Sequence, residues 1–360
     1  MDRAPFAERQ KPRAVQMSSL SPENGTTPAH AFPPRQARMK RKRITRMEPP
    51  RPHALSARNV WPVSLPFALQ LVILLGCILG GALLGSLLLF ALGQWGDFDL
   101  SVLLDTFGEH SDKRARRMMR AAILLNHLCT FVLPALATAW LLFRKKWARC
   151  LRLDAGPELR VAGWGVLFIL ASFPLAQALY WLNHQIPLAE WMVQLEDSTN
   201  EMIKALLVME TPEELFVNVV IIALVPAVGE ELVFRGLLQQ MLHRALGRGV
   251  LAVWLSALVF SAFHMQFEGF LPRLALGAVL GYLFYWSRNL WVPVLAHFAN
   301  NAVQVVAAYY FRDLVVEMEP DSMEPFTWPS ALASLVLVLL IGYHIHQLTM
   351  TGSADKSAAE

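Results

Sequence analysis

Eight apolar stretches follow one another after residue 60, most of them long enough to cross a lipid bilayer, and no soluble core absorbs so many. A transmembrane helix needs about 20 mostly apolar residues. The stretches are 64–92, 119–143, 161–183, 214–234, 250–266, 270–287, 290–311 and 328–350. Hydrophobic residues make up 55% of the chain and charged residues 17%, against roughly 25% charged in a soluble domain. Mean hydropathy is +0.38. A soluble globular enzyme and a disordered regulator are excluded. The expected fold is all-α, a polytopic membrane bundle of about eight transmembrane helices. One intervening stretch, 187–213, mixes Trp191, Leu195, Ile203, Leu206 and Leu207 with Glu196, Asp197, Glu201 and Lys204. That pattern predicts an amphipathic helix at the bilayer surface. Cys77, Cys129 and Cys150 sit in or beside apolar runs and read as small hydrophobes rather than a disulfide scaffold.

Residues 1–60 carry 13 Lys+Arg against 4 Asp+Glu, with Pro33, Pro34, Pro49, Pro50 and Pro52 and the basic run Arg38 to Arg46. This predicts a disordered basic cytoplasmic tail without a signal peptide. A basic tail beside a membrane span meets anionic headgroups, so the expected partner is the lipid bilayer and not nucleic acid. The tail precedes a transmembrane domain over 61–350, and 351–360 form a C-terminal tail. Lys/Arg bias places the basic loop 144–152 and His243 to Arg248 inside, and the acidic loops 187–213 and 312–325 outside. An even number of spans leaves both termini of this multi-pass integral membrane protein in the cytoplasm. Lys113 to Arg120 conflicts with that scheme, because it falls outside yet is strongly basic.

Polar residues inside apolar helices are costly and mark function. The second stretch holds Asn126 and His127 near its start, and His127 reads as a packing residue. The fourth reads VPAVGEELVFRG. Glu231 and Arg235, four apart, share a face and can pair. Glu230 is turned by about 100° and is free to face a cavity. Pro226 and Gly229 loosen the helix just before it. Phe260 and His264 lie four apart in the fifth stretch, and His297 and Asn301 four apart in the seventh. Gly277 and Gly281 in the sixth allow close helix approach. Arg273 and Arg288 read as snorkelling anchors, and Glu268 as a loop carboxylate.

Together these residues resemble a known family. The order Glu230-Glu231-x-x-x-Arg235, Phe260-x-x-x-His264 and His297-x-x-x-Asn301, with the Gly-rich lead-in LGAVLGYLFYWSRNLWVPVLAHFANN, is similar to the CAAX-processing and bacteriocin-processing (CPBP or Abi) intramembrane proteases. That family includes the type II CAAX prenyl endopeptidases. The resemblance covers about residues 210–310. It implies an intramembrane endopeptidase acting on a membrane-associated protein or peptide, with CAAX-type processing among its activities. Glu230 would be the general base, with Glu231 beside it. His264 would hold the water or donate a proton, His297 and Asn301 would meet the oxyanion, and Arg235 and Phe260 would support them. Members are often labelled metalloproteases. No cofactor is favoured here and zinc stays open, with Glu230, His264 and His297 as ligand candidates, although no His-Glu-x-x-His motif is present. The alternatives are a non-catalytic membrane scaffold or bacteriocin-immunity partner, and a transporter with a Glu/His proton relay.

Overall fold

The computed structural model describes residues 65–95, 100–311 and 327–359. The basic tail and the acidic loop 312–325 lie outside them. Ten helical segments run through the described residues: α1 Phe67–Trp95, α2 Leu100–Thr106, α3 Lys113–Cys150 and α4 Leu159–His184, α5 Glu190–Leu206, α6 Pro212–Leu246, α7 Gly249–Phe263, α8 Phe270–Ser287, α9 Trp291–Tyr310 and α10 Trp328–Ala359. No strand is present among them. All eight apolar stretches are therefore helical, and α5 is the amphipathic helix expected between the third and fourth. Five helices (α1, α3, α4, α6 and α10) are long and apolar enough to cross a membrane by themselves. The remaining three fall short for identifiable reasons. The 15 residues of α7 rise only about 22 Å, while α8 and α9 carry polar residues such as Arg273, His297 and Asn300.

The bundle is organised around α6. One side of α6 packs on α3, which carries α1, and its other neighbours are α7 and α9. Helix α4 joins α8, α9 and α10. Two apolar clusters follow. The first joins Leu74, Phe143 and Leu151 to Leu237 and Met241 of α6. The second joins Phe168 and Ile169 of α4 to Leu283, Val292 and Ile345. Outward-facing residues of α1, such as Val72, Leu79 and Phe90, are exposed and apolar, as a lipid-facing surface requires.

Local chemistry sets the entry to α6. Thr211 is its N-cap and accepts from the Glu214 amide, Pro212 opens the first turn, and Glu213 and Glu214 stand at the positive helix end. Its exit is Gly247 in the left-handed region at φ 66°, donating its amide to the His243 carbonyl. Within α6 the backbone is π-helical over Val219–Leu224 and Leu232–Gln239, on either side of Val225–Glu231. Pro226 supplies no amide hydrogen, and π-helical turns in long helices commonly mark functional positions.

Part of the basic segment at the start of α3 is paired inside the bundle. Arg116 and Arg120 are buried. Arg116 donates to Glu210 at 2.6 Å, and Arg120 to Glu214 at 3.0 Å and to the Val208 carbonyl at 3.0 Å. Lys113 also pairs with Glu210 at 2.9 Å. Arg114 and Arg117 of the same segment remain exposed, so the conflict with the Lys/Arg count of the loops stands. The hydrogen bonds from Lys113 and then Arg116 hold the Glu210 carboxyl below the usual carboxylate range. A depressed carboxyl contributes stability above its unfolded pKa and loses it as pH falls through the folded value. Unfolding temperature in detergent is expected to drop on acidification below about pH 4, with a smaller drop in Glu210→Gln.

Candidate active site

The four motif helices bring every sequence-predicted site residue together. Glu231 is fully buried, and its Oε1 accepts from Arg235 Nη1 at 2.7 Å and from His297 Nδ1 at 2.9 Å. Arg235 spends its other terminal nitrogen on the Gly277 carbonyl, at 2.7 Å, and its guanidinium lies 4.7 Å over the Phe260 ring. Gly277 leaves room for this ring, since a Cβ there would stand 3.1 Å from Phe260 Cδ1. At Gly281 it would stand 2.9 Å from Val253 Cγ1. The close approach of α7 and α8 expected from that spacing is thus present. Phe260 also packs edge-on to His264 and His297, at ring separations of 4.8 and 6.0 Å.

With Glu231 so occupied, Glu230 faces a cavity of about 390 Å³ that His264, His297, Asn300 and Asn301 also line. Three imidazoles surround its carboxylate. His264 Nε2 lies 3.9 Å from Oε2, His297 Nε2 3.8 Å from Oε2, and His127 Nε2 3.8 Å from Oε1. Two of the tautomers are set by neighbours. His264 Nδ1 is 2.8 Å from the Phe260 carbonyl, which can only accept, so Nδ1 carries the proton. His297 Nδ1 faces the Glu231 carboxylate in the same way. In their neutral forms both rings then turn an unprotonated Nε2 toward Glu230.

The structure adds residues that the motif reading missed. His127 is not merely packing, because α3 delivers its Nε2 to Glu230 while the ring stacks on Phe131 at 4.5 Å. Gly229 makes that possible, since a Cβ there would stand 3.0 Å from Phe131 Cβ and 3.1 Å from Val132 Cγ2. Gly229→Ala is therefore expected to lower stability in detergent by about 0–2 kcal/mol. The overpacking cost of about 1–3 kcal/mol is offset in part by a helix-propensity gain of about 1 kcal/mol. Thermal unfolding measures the net effect. Asn300, turned from the His297–Asn301 face by one residue, also lines the cavity and donates to Asn301 Oδ1 at 2.9 Å. Arg273 lines the cavity rather than serving as an anchor. Glu268 does remain a loop carboxylate, accepting from the Tyr180 hydroxyl at 2.9 Å. Glu196 of the amphipathic helix is buried and accepts from the amides of Phe267 and Glu268, at 2.8 and 2.9 Å. It thereby holds the loop that follows His264.

The zinc set suggested by sequence does not assemble. Among the described residues, no three His, Cys, Asp or Glu side chains form a group able to hold a metal ion. Zinc bonds near 2.0–2.1 Å put tetrahedral ligand atoms about 3.3 Å apart. Glu230 instead keeps 3.8–3.9 Å from His264 and His297.

Comparison with known proteins addresses the same stretch. Residues 212–303 match the family model described as type II CAAX prenyl endopeptidase, Rce1-like. A relative, "Uncharacterized protein YpbD" of Bacillus subtilis (strain 168), is 31% identical over 90 residues, which are 24% of this chain and 43% of that protein. The chain thus matches less than half the length of that relative. No solved structure matches the chain. The matched stretch contains Glu230, Glu231, Arg235, Phe260, His264, His297 and Asn301, so the part of this multi-helix membrane protein that carries the site is the part similar to the Rce1-like type II CAAX prenyl endopeptidase model.

Proposed function

We propose that the chain is an intramembrane endopeptidase that hydrolyses a peptide bond of a membrane-associated protein or peptide, with Glu230 activating the water. The observation that carries this reading is the Glu230 carboxylate on a cavity wall, with three imidazole Nε2 atoms 3.8–3.9 Å away. Those separations are too long for direct hydrogen bonds and suit one water shared between Glu230 and His264. Glu230 takes a proton from that water as its oxygen bonds to the carbonyl carbon. The developing oxyanion meets Asn301, whose amide donates without changing protonation. His297 donates there only when both ring nitrogens carry protons, because its Nδ1–H is held by Glu231. The C–N bond then breaks, and the proton held by Glu230 passes to the leaving amine. Arg235 balances the Glu231 charge, and Glu231 orients His297. CAAX-type processing is the substrate class that the family match favours.

Membranes carrying equal amounts of wild type and of Glu230→Gln are compared by mass-spectrometric profiling of new peptide termini. Termini produced by wild type alone support the reading and name the substrate. Identical profiles would overturn it and favour a scaffold or immunity role.

A further inference from the structure

We infer that Arg152, Arg244 and Arg288 form a seat for the phosphodiester of an anionic phospholipid headgroup. None of the three lines the Glu230 cavity. Hydrogen bonds bring their three chain segments together where α3, α6 and α8 end. Gln240 of α6 donates from Nε2 to the Cys150 carbonyl at 2.9 Å. The Leu290 amide donates to the Arg152 carbonyl at 3.1 Å, and Asn289 Nδ2 to the carbonyls of Ala155 and Gly156 at 2.9 and 3.0 Å. Arg152 follows the end of α3, Arg244 stands in the last turn of α6, and Arg288 caps α8. Arg288 acts on Arg152, and Arg152 on Arg244, as like charges. Asp154 acts on Arg152 through space, but its own ion pair is with Arg149 at 3.4 Å. Neither Arg152 nor Arg288 forms an ion pair among the described residues. Across 144–160, 243–248 and 287–290 the chain holds nine Lys+Arg against Asp154 and Glu158.

The backbone gives no reason for arginine here. Four described residues other than glycine have positive φ, and three of them are arginines of this end: Arg144 at 52°, Arg152 at 62° and Arg288 at 52°. Glycine holds such angles without steric cost, as Gly247 does after α6. Arg144 spends its guanidinium 4.6 Å over the Trp140 ring, which leaves Arg152 and Arg288 to be accounted for. The carbonyl end of a helix is worth only about half a negative charge, so the three helix ends offset part of the guanidinium charge and leave a surplus. Depth selects the anion. Trp147 and Trp291 flank the cluster, each 37% exposed, and tryptophan collects at the headgroup level of a bilayer. The anion abundant at that level is the phosphodiester, whose oxygens suit the guanidinium fork. A zwitterionic lipid would add a cation to a site already in surplus.

The test uses the full chain purified in neutral detergent. Phosphatidylglycerol and phosphatidylcholine with the same acyl chains are offered at equal concentration, and retention is read by native mass spectrometry beside thermal unfolding. Wild type is expected to retain phosphatidylglycerol about tenfold more and to unfold at a higher temperature with it. Arg152→Gly with Arg288→Gly removes both guanidinium groups and relieves both backbone angles. That pair should unfold without lipid at or above the wild-type temperature and show no preference. Arg160→Gln with Arg248→Gln removes two exposed charges from the same end and should keep the preference. Equal retention of both lipids by wild type overturns the seat, and so does equal loss of preference in the two pairs, which marks a diffuse field. Should the glycine pair not fold, Arg288→Gly alone, at an exposed position, must weaken the preference, and an undiminished preference overturns the seat. Inorganic phosphate is the second probe. No shift in unfolding temperature with phosphate supports the lipid, whereas a shift equal to that from phosphatidylglycerol overturns it in favour of a soluble phosphate compound.

Discussion

Glu230→Gln is expected to lower turnover by about 10²–10⁴-fold while leaving thermal unfolding within about 0.5 kcal/mol of wild type. The two halves of this outcome have separate causes. Activity falls because an amide cannot take the proton from water, although it keeps the shape and polarity of the carboxylic acid. Stability holds because Glu230 gives up no close native partner. Its three imidazole neighbours stand 3.8–3.9 Å away, and its Oε2 has no hydrogen-bond partner. A cluster that only held helices together would give the opposite result, a lower unfolding temperature with no turnover to lose. Single-turnover cleavage of a substrate found by terminus profiling, beside unfolding in the same detergent, measures both halves. Retained cleavage would move the general base to another residue.

The parts of this site that are legible in the chain are those set by helical periodicity. Residues four apart share a face. Spacing alone therefore pairs Glu231 with Arg235, Phe260 with His264 and His297 with Asn301, and it turns Glu230 away from its neighbour. The parts that escape depend on which helices meet. His127 has no charged partner in its own helix, and its place follows from α3 closing on α6 over Gly229. The signal in the sequence is Phe131, four residues on, which stacks on it. Arg116 and Arg120 look like topological charges because their partners, Glu210 and Glu214, lie 94 residues away in sequence. Arg273 looks like an anchor because it lies near a helix end, and only the fold turns it into the cavity. The number of spans is similarly hard to read, because one helix of the site, α7, is only 15 residues long and another is made less apolar by its own polar residues. His297, Asn300 and Asn301 do so in α9.

Arg235→Met should be the most destabilising single change at the site, by about 3–5 kcal/mol. The side chain is 1% exposed and Glu231 is 0% exposed, so removing the guanidinium leaves a carboxylate buried with His297 as its remaining hydrogen-bond partner. The hydrogen bond to the Gly277 carbonyl is also lost, at a cost of about 1 kcal/mol. Combining Arg235→Met with Glu231→Gln should then recover most of the loss, because no uncompensated charge remains and the substituted amide still accepts from His297 Nδ1. The double variant is expected within about 1–2 kcal/mol of wild type, with a coupling of about 2–3 kcal/mol between the two positions. Thermal unfolding of the four proteins in one detergent closes the cycle. Losses that simply add would mean that Arg235 stabilises α8 and Phe260 rather than the Glu231 charge. The orientation of His297 would then have to come from the packing of α9 alone.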